Sequence, residues 1–233
     1  MTSTTATSLY PNAPLYFTLL LIIAVVGFYP SYFSVLGETD AAHHFHGVLA
    51  TAWMLLLILQ SWLMRRRHFS AHRTIGRVSL VVAPLFVASG LLVIHVMVSS
   101  SNGFSKAFGA RFAFVDLLAI GYFAVAYALA IHHRRNMALH ARFLASTAIL
   151  VLPPALARAL QFIPGLDSVI PSVNASFLIS ELIVAALLVV DARRSGPLLP
   201  YSALLVVVII QHIGFVVIPR IEWWNRLCAS FVG

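Results

Sequence analysis

Seven long apolar stretches dominate this sequence, and the short loops between them carry positive charge mainly at every second connection. The hydrocarbon core of a bilayer is about 30 Å thick, so a helix needs roughly 20 apolar residues to cross it. Strands of a membrane barrel would be about half as long and would alternate in polarity. We therefore predict seven transmembrane helices, near residues 15–36, 43–64, 73–98, 108–131, 137–163, 170–190 and 198–218.

The composition agrees with an all-α, polytopic membrane helix bundle. Hydrophobic residues make up 61% of the chain and charged residues only 9%, a balance that a soluble domain of this size cannot hide from water. No linker or low-complexity tract divides the chain. We expect residues 1–233 to form a single transmembrane helical domain.

The basic residues predict the orientation. Lys and Arg number 15, and ten of them lie in the loops that follow the second, fourth and sixth predicted helices: Arg65, Arg66, Arg67, Arg73, Arg77, Arg134, Arg135, Arg142, Arg193 and Arg194. Because cytoplasmic loops are enriched in Lys and Arg, we expect a multi-pass protein of the inner (cytoplasmic) membrane, with its N-terminus cytoplasmic and its C-terminus outside. The basic residues cluster at helix ends, so we expect anionic lipids as their partners and no nucleic acid.

Ionisable residues inside the predicted spans point towards function, because the bilayer penalises them unless they are paired, face a cavity or bind a ligand. The chain has ten histidines. Helical periodicity places His46, Trp53 and Gln60 on one face of the second helix, and Asn174 with Glu181 on one face of the sixth. At 1.5 Å per residue, most of the ionisable groups fall in the outer half of the bundle.

These outer histidines form the predicted metal or haem site, since a neutral imidazole nitrogen binds iron, copper or zinc. The predicted ligands are His44, His46, His95 and His212, with supporting or relay roles for Asp116, Arg158, Glu181 and Gln60. A haem b held by two histidines needs both imidazoles at one depth, and His46 with His95 or His212 fits that condition. The pair His72 and His140, at the inner helix ends, is a second candidate.

Residues 44–84 read HxHGxxxxxWxxxxxxQ followed by HRxxGRxxxxxxxP. This pattern resembles an uncharacterised bacterial family of multi-helix integral membrane proteins, described as predicted membrane proteins of unknown function. The matching positions are His44, His46, Gly47, Trp53, Gln60, His72, Arg73, Gly76, Arg77 and Pro84, and residues 140–158 are similar in style. The resemblance implies a helical membrane fold and no particular activity.

Three functions stay open at this point. The favoured one is a redox or assembly protein that binds haem or a transition metal. The second is a proton-coupled or small-solute transporter, in which Glu181, Asp116, Arg158 and His212 are relay groups or counter-charges. The third is a structural or sensory membrane protein without a cofactor, in which Arg158 and Asp116 simply pair to hold two helices together. No catalytic residue can be named, so enzymatic activity is left open.

Overall fold

The computed structural model describes residues 11–231, which form helices and turns without any β-strand. The α-helices are α1 Ala13–Phe28, α2 Ala41–Arg65, α3 Phe69–Gly76, α4 Ser79–Ser99, α5 Gly103–His132, α6 Met137–Ile149, α7 Leu152–Leu160, α8 Val169–Arg193, α9 Leu199–Val217 and α10 Glu222–Ala229. Two short 3-10 helices, Phe33–Glu38 and Ile218–Arg220, follow α1 and α9. The all-α prediction is confirmed for this part of the chain.

Six helical segments are long and apolar enough to cross a membrane: Ala41–Arg65, Phe69–Ser99, Gly103–His132, Met137–Leu160, Val169–Arg193 and Leu199–Arg220. They correspond to the second to seventh predicted helices. The first predicted helix ends earlier than expected, at Phe28, and its 16 residues extend for about 24 Å. A crossing by α1, and with it the count of seven and the orientation of the termini, stays a prediction.

Two of the predicted helices are each built from two helices. The third is divided between α3 and α4 at Arg77 and Val78, and the fifth is divided between α6 and α7 at Leu150 and Val151. The second break has a chemical cause, because Pro153 and Pro154 have no N–H and end the helical hydrogen-bond pattern of α6. The proline pair starts α7 instead, at positions where a missing donor is tolerated.

The segment formed by α6 and α7 lies at the centre of the bundle. In its most apolar stretch of 18 residues, 50% of the residues are buried, a larger share than in the corresponding stretch of any of the other five candidate spans. Helix α6 contacts α5 and α9, whereas α7 contacts α1 and α8. The remaining helices surround this segment and pack against one another: α2 contacts α1 and α4, α4 contacts α5, and α8 contacts α9.

Side-chain caps fix the starts of three helices. Asp40, Asn102 and Asn136 accept hydrogen bonds from backbone amides in the first turns of α2, α5 and α6. The last helix, α10, is held against the bundle by Trp224, whose Nε1 donates to the carbonyl oxygen of Ala110 on α5 at 2.8 Å. The ends of the helices opposite the arginine-rich loops are called the outer ends below.

Candidate functional site

Within the candidate spans, His212 forms a polar group with two partners on α8. The Nδ1 atom of His212 lies 2.8 Å from Oε1 of Glu181, and its Nε2 atom lies 3.2 Å from Oδ1 of Asn174. The ring of Phe177 stacks on the imidazole, with centroids 5.2 Å apart. His212 therefore bridges two side chains that are seven residues, or about 10 Å, apart along α8.

The orientation of Asn174 determines where the protons of this group lie. Its Nδ2 donates to the carbonyl oxygen of Ile170 at 2.9 Å, which leaves Oδ1 to face His212. An amide oxygen only accepts hydrogen bonds, so Nε2 of His212 must carry a proton. The contact between Nδ1 and Glu181 then needs one more proton, which can reside on either partner. Glu181 and His212 thus form a carboxylate and imidazolium, or a carboxylic acid and neutral imidazole.

The pair formed by His212 and Glu181 is partly exposed at the surface of the bundle. The side chains of His212 and Glu181 are 19% and 20% exposed, so neither is sealed from its surroundings. Their neighbours Leu178, Leu182 and Ile213 are strongly exposed and apolar, as expected for a surface in contact with lipid. The sequence prediction that Asn174 and Glu181 share one face of their helix is confirmed by their common contact with His212.

His44 links the segment after α1 to the start of α2. Its Nε2 donates to the carbonyl oxygen of Leu36 at 3.0 Å, and its Nδ1 lies 3.2 Å from the hydroxyl of Tyr32. The ring of Tyr32 occupies the space above Gly47, where an added Cβ would lie only 2.8 Å from the ring. Since both of its nitrogens are engaged, the His44 in this structure has no free ligand atom.

His46 makes a contact with α4. Its Nδ1 lies 3.0 Å from Oγ of Ser89, and that hydroxyl donates its only proton to the carbonyl oxygen of Phe86. Nδ1 must therefore be the protonated nitrogen, and Nε2 carries a free lone pair. The ring of Phe86 stacks on His46 with centroids 4.9 Å apart, which fixes the direction of the imidazole.

The other two residues of this α2 face also join helices. Trp53 is buried and its Nε1 donates to Oγ1 of Thr147 on α6 at 3.2 Å. Gln60 is buried near the basic end. With its amide assigned so that the NH2 group faces His72, it donates to the Nδ1 and the carbonyl oxygen of His72 while its Oε1 accepts from the amide of Gly76. The polar residues of the motif therefore connect α2 to α3, α4 and α6.

The remaining predicted histidines lie apart from these. His140 donates from Nδ1 to the carbonyl oxygen of Ala130 at 2.8 Å, which leaves its Nε2 without a hydrogen bond, and it lies within electrostatic range of His72. His95 is exposed near the outer end of α4, where the edge of its ring faces Phe231. His72 and His140 thus lie within electrostatic range of each other, whereas His95 is exposed on α4 beside Phe231.

Asp116 and Arg158 interact electrostatically across the interior, but no ion pair within 4.0 Å joins them among residues 11–231. Arg158 instead donates from Nε to Oγ of Ser31 at 3.1 Å and from Nη1 to the carbonyl oxygen of Pro154 at 2.9 Å. Its guanidinium also lies 4.5 Å from the ring centre of Phe28. A direct Asp116–Arg158 salt bridge, one of the alternatives from the sequence, is not formed here.

The four outer histidines do not come together as one ligand set. His44 and His46 lie on α2, His95 on α4 and His212 on α9, and each contacts different partners. Within the part of the chain that the structure describes, no group of three or more His, Cys, Asp or Glu side chains is arranged to hold a metal ion. Binding of haem or a metal by fewer of these residues stays a prediction.

Sequence reasoning missed one buried charged pair. Arg142 was assigned to a basic loop, but it lies in the second turn of α6 and is 4% exposed. Its Nε and Nη2 donate to the two carboxylate oxygens of Asp191 on α8 at 2.6 and 2.7 Å. The available signal was Asp191 itself, the one acidic residue beside the three basic loops.

Comparison of this chain with protein-family models, with curated proteins and with solved structures gives no match.

Proposed function

We propose that this polytopic helical membrane protein is a proton-coupled transporter in which Glu181 and His212 bind and release the coupling proton. The observation that carries the proposal is the hydrogen bonding of His212 on both ring nitrogens, to Glu181 and to an Asn174 whose direction is fixed. Ionisable groups within a span are retained mainly where they serve a pathway, a ligand or a counter-charge.

Three properties suit this pair to proton transfer. Its two protonated arrangements have the same net charge, so the shared proton can change partner without creating a new charge in the bilayer. Loss of that proton leaves the Glu181 carboxylate facing an unprotonated Nδ1, two acceptors with no hydrogen between them, so the pair has a place for one incoming proton. His212 lies about 7 Å from the outer end of α9, and Glu181 lies about 18 Å from either end of α8, so their point of contact lies in the outer half of the bundle.

In this proposal, Asp116 and Arg158 are the charged groups that contact the substrate. Both are half-buried, they lie on α5 and α7, and they interact without direct contact. An Arg held by Ser31 and Pro154 presents a fixed positive charge, and a nearby carboxylate supplies the opposite charge. This arrangement fits a small polar substrate better than an apolar one.

Proton flux into proteoliposomes tests the proposal. Purified protein is reconstituted with a pH-sensitive dye inside the vesicles, and a potassium gradient with valinomycin provides the driving force. We expect acidification faster than in protein-free vesicles, and we expect Glu181→Gln to reduce the rate to the protein-free level. The matched control is Glu222→Gln, which removes an exposed carboxylate on α10 that contacts only Arg226 at 3.8 Å. Equal rates for wild-type and Glu181→Gln vesicles would overturn the proposal.

Binding of haem or a transition metal (Cu, Fe or Zn) is a second candidate function, favoured by one specific observation. His46 and His140 each donate from Nδ1 to a protein oxygen and keep Nε2 free, the state in which histidine usually ligates a metal. An absorption spectrum and a metal analysis of protein purified under iron- and haem-replete conditions test this. A Soret band that disappears in His140→Gln or His46→Gln supports it, and a featureless spectrum with no stoichiometric metal contradicts it.

A further inference from the structure

The arginine-rich turn between α2 and α3 forms the most strongly charged surface of the described chain. Arg65, Arg66 and Arg67 are consecutive and exposed. No Asp or Glu occurs anywhere between Asp40 and Asp116. Among the described residues, no carboxylate lies within 4.0 Å of any of these three guanidinium groups. Within residues 11–231 these three charges therefore have no carboxylate partner, and they are available to an anionic ligand.

Two open cavities lie on either side of this turn. The larger has a volume of about 740 Å³ and is lined by Arg67, His68, Phe69, Ser70, Thr74 and Ile75, among others. The smaller, of about 350 Å³, is lined by Trp62, Arg65 and Arg66. Both are open to the surface of the bundle rather than enclosed.

Aromatic side chains flank the charges at the level where the span ends. Trp62 is 43% exposed and Phe69 is 50% exposed. Trp62 lies 5.9 Å from the guanidinium of Arg66 and 6.2 Å from the ring of His68. Tryptophan beside arginine is the arrangement that membrane proteins place at the headgroup level of a bilayer.

An exposed apolar track continues from the cavities into the span. Leu59 and Leu55 follow Trp62 on the same side of α2, and they are 38% and 51% exposed. A lipid whose headgroup occupies the arginine turn can therefore lay its acyl chains along α2. A free anion such as inorganic phosphate would use only the arginines.

We propose that the Arg65–Arg67 turn binds the headgroup of an anionic phospholipid with two phosphates, one phosphate in each cavity. Three positive charges are present, and a phosphodiester carries one negative charge, so a diphosphate headgroup neutralises the turn better than a single phosphate. Arg is also the residue best suited to phosphate, because its planar guanidinium donates two parallel hydrogen bonds. Basic pockets at the cytoplasmic side of membrane helices are a known setting for such lipids.

Native mass spectrometry of the full-length protein in detergent tests the proposal, with cardiolipin, phosphatidylglycerol and phosphatidylcholine added at equal concentration. We expect cardiolipin to be retained in preference to the other two lipids. Arg66→Gln combined with Arg67→Gln should weaken cardiolipin binding about 30-fold, from the loss of two arginines near a charged surface. Circular dichroism checks that the variant stays helical, which is expected because both side chains are exposed.

The matched control is Arg134→Gln combined with Arg135→Gln, which removes two exposed arginines from another basic loop, outside the two cavities. Cardiolipin binding within twofold of wild type in this control supports a site at the α2–α3 turn. An equal loss in both double variants would mean general surface attraction and would overturn the proposal. So would equal retention of phosphatidylglycerol and cardiolipin, or complete displacement of the lipid by inorganic phosphate.

Discussion

Arg142 and Asp191 join the second turn of α6 to the last turn of α8 through two parallel hydrogen bonds, with side chains only 5% and 2% exposed. The guanidinium also donates from Nη1 to the carbonyl oxygen of Ala138 on its own helix. This pair anchors the central segment to α8 at the basic end of the bundle.

Removing one member of this pair should destabilise the protein strongly. Asp191→Leu leaves Arg142 buried without its counter-charge, a change that typically costs about 3–5 kcal/mol. The double variant Arg142→Met with Asp191→Leu should be less destabilised, because no charge is then left unpaired. SDS-induced unfolding in mixed micelles gives the free energies, with the exposed Arg194→Gln as control. A double variant less stable than Asp191→Leu alone would contradict this explanation.

Two glycine-to-alanine substitutions should act in opposite directions. A Cβ on Gly27 of α1 would overlap the backbone carbonyl of Ala155 on α7, and backbone atoms of a central helix cannot easily move. We expect Gly27→Ala to destabilise by about 1–3 kcal/mol. Gly121 on α5 is exposed and has nothing within 4 Å of an added Cβ, so Gly121→Ala should stabilise by up to about 1 kcal/mol through helix propensity. Thermal unfolding of both variants beside wild type measures the contrast, and equal shifts would refute it.

The proton positions in His212 can be observed by NMR of protein labelled with ¹⁵N-histidine. We expect Nε2 of His212 to carry a proton, because Asn174 offers only an acceptor there. Asn174→Leu removes the acceptor, so the proton should no longer be confined to Nε2. The signals that disappear in His212→Gln are those of His212. His44, whose Nε2 donates to Leu36, is an internal reference. An unprotonated Nε2 in the wild-type spectrum would show that the hydrogen bonding is different.

Acid should weaken the start of α2. Burial raises the pKa of Asp40, but hydrogen bonds from the amides of His43 and Ala42 and from the His43 ring outweigh it, so the pKa lies below its usual value of 3.8. The stabilisation is fully present above the usual pKa and is lost as the pH falls through the lowered, folded-state pKa. Asp40→Asn keeps a capping side chain without the charge, and Asp40→Ala should cost about 1 kcal/mol at neutral pH. Melting temperatures of the three proteins across acidic pH give the test, and a constant difference between wild type and Asp40→Asn would disprove the link to ionisation.

The sequence was sufficient to predict six of the apolar spans, because the length and composition of a span are set by the thickness of the bilayer. The common face of Asn174 and Glu181 was also predictable, since helical periodicity is a local property. Which helices are neighbours was not, so His212 could be placed at a depth but not beside its partners. Arg142 was misassigned for the same reason. The local sequence around an arginine near a basic loop does not show whether its side chain faces water or a buried carboxylate on another helix.

The division between α6 and α7 has a mechanical consequence. The carbonyl groups of Ile149 and Leu150 cannot bond to residues four positions on, because those residues are the prolines 153 and 154. The junction is bridged instead by a shorter-range bond, from the amide of Val151 to the carbonyl oxygen of Ala148 at 3.2 Å. The two halves of the central segment are therefore anchored separately, the half with Arg142 to Asp191 on α8 and the half with Arg158 to Ser31, just after α1.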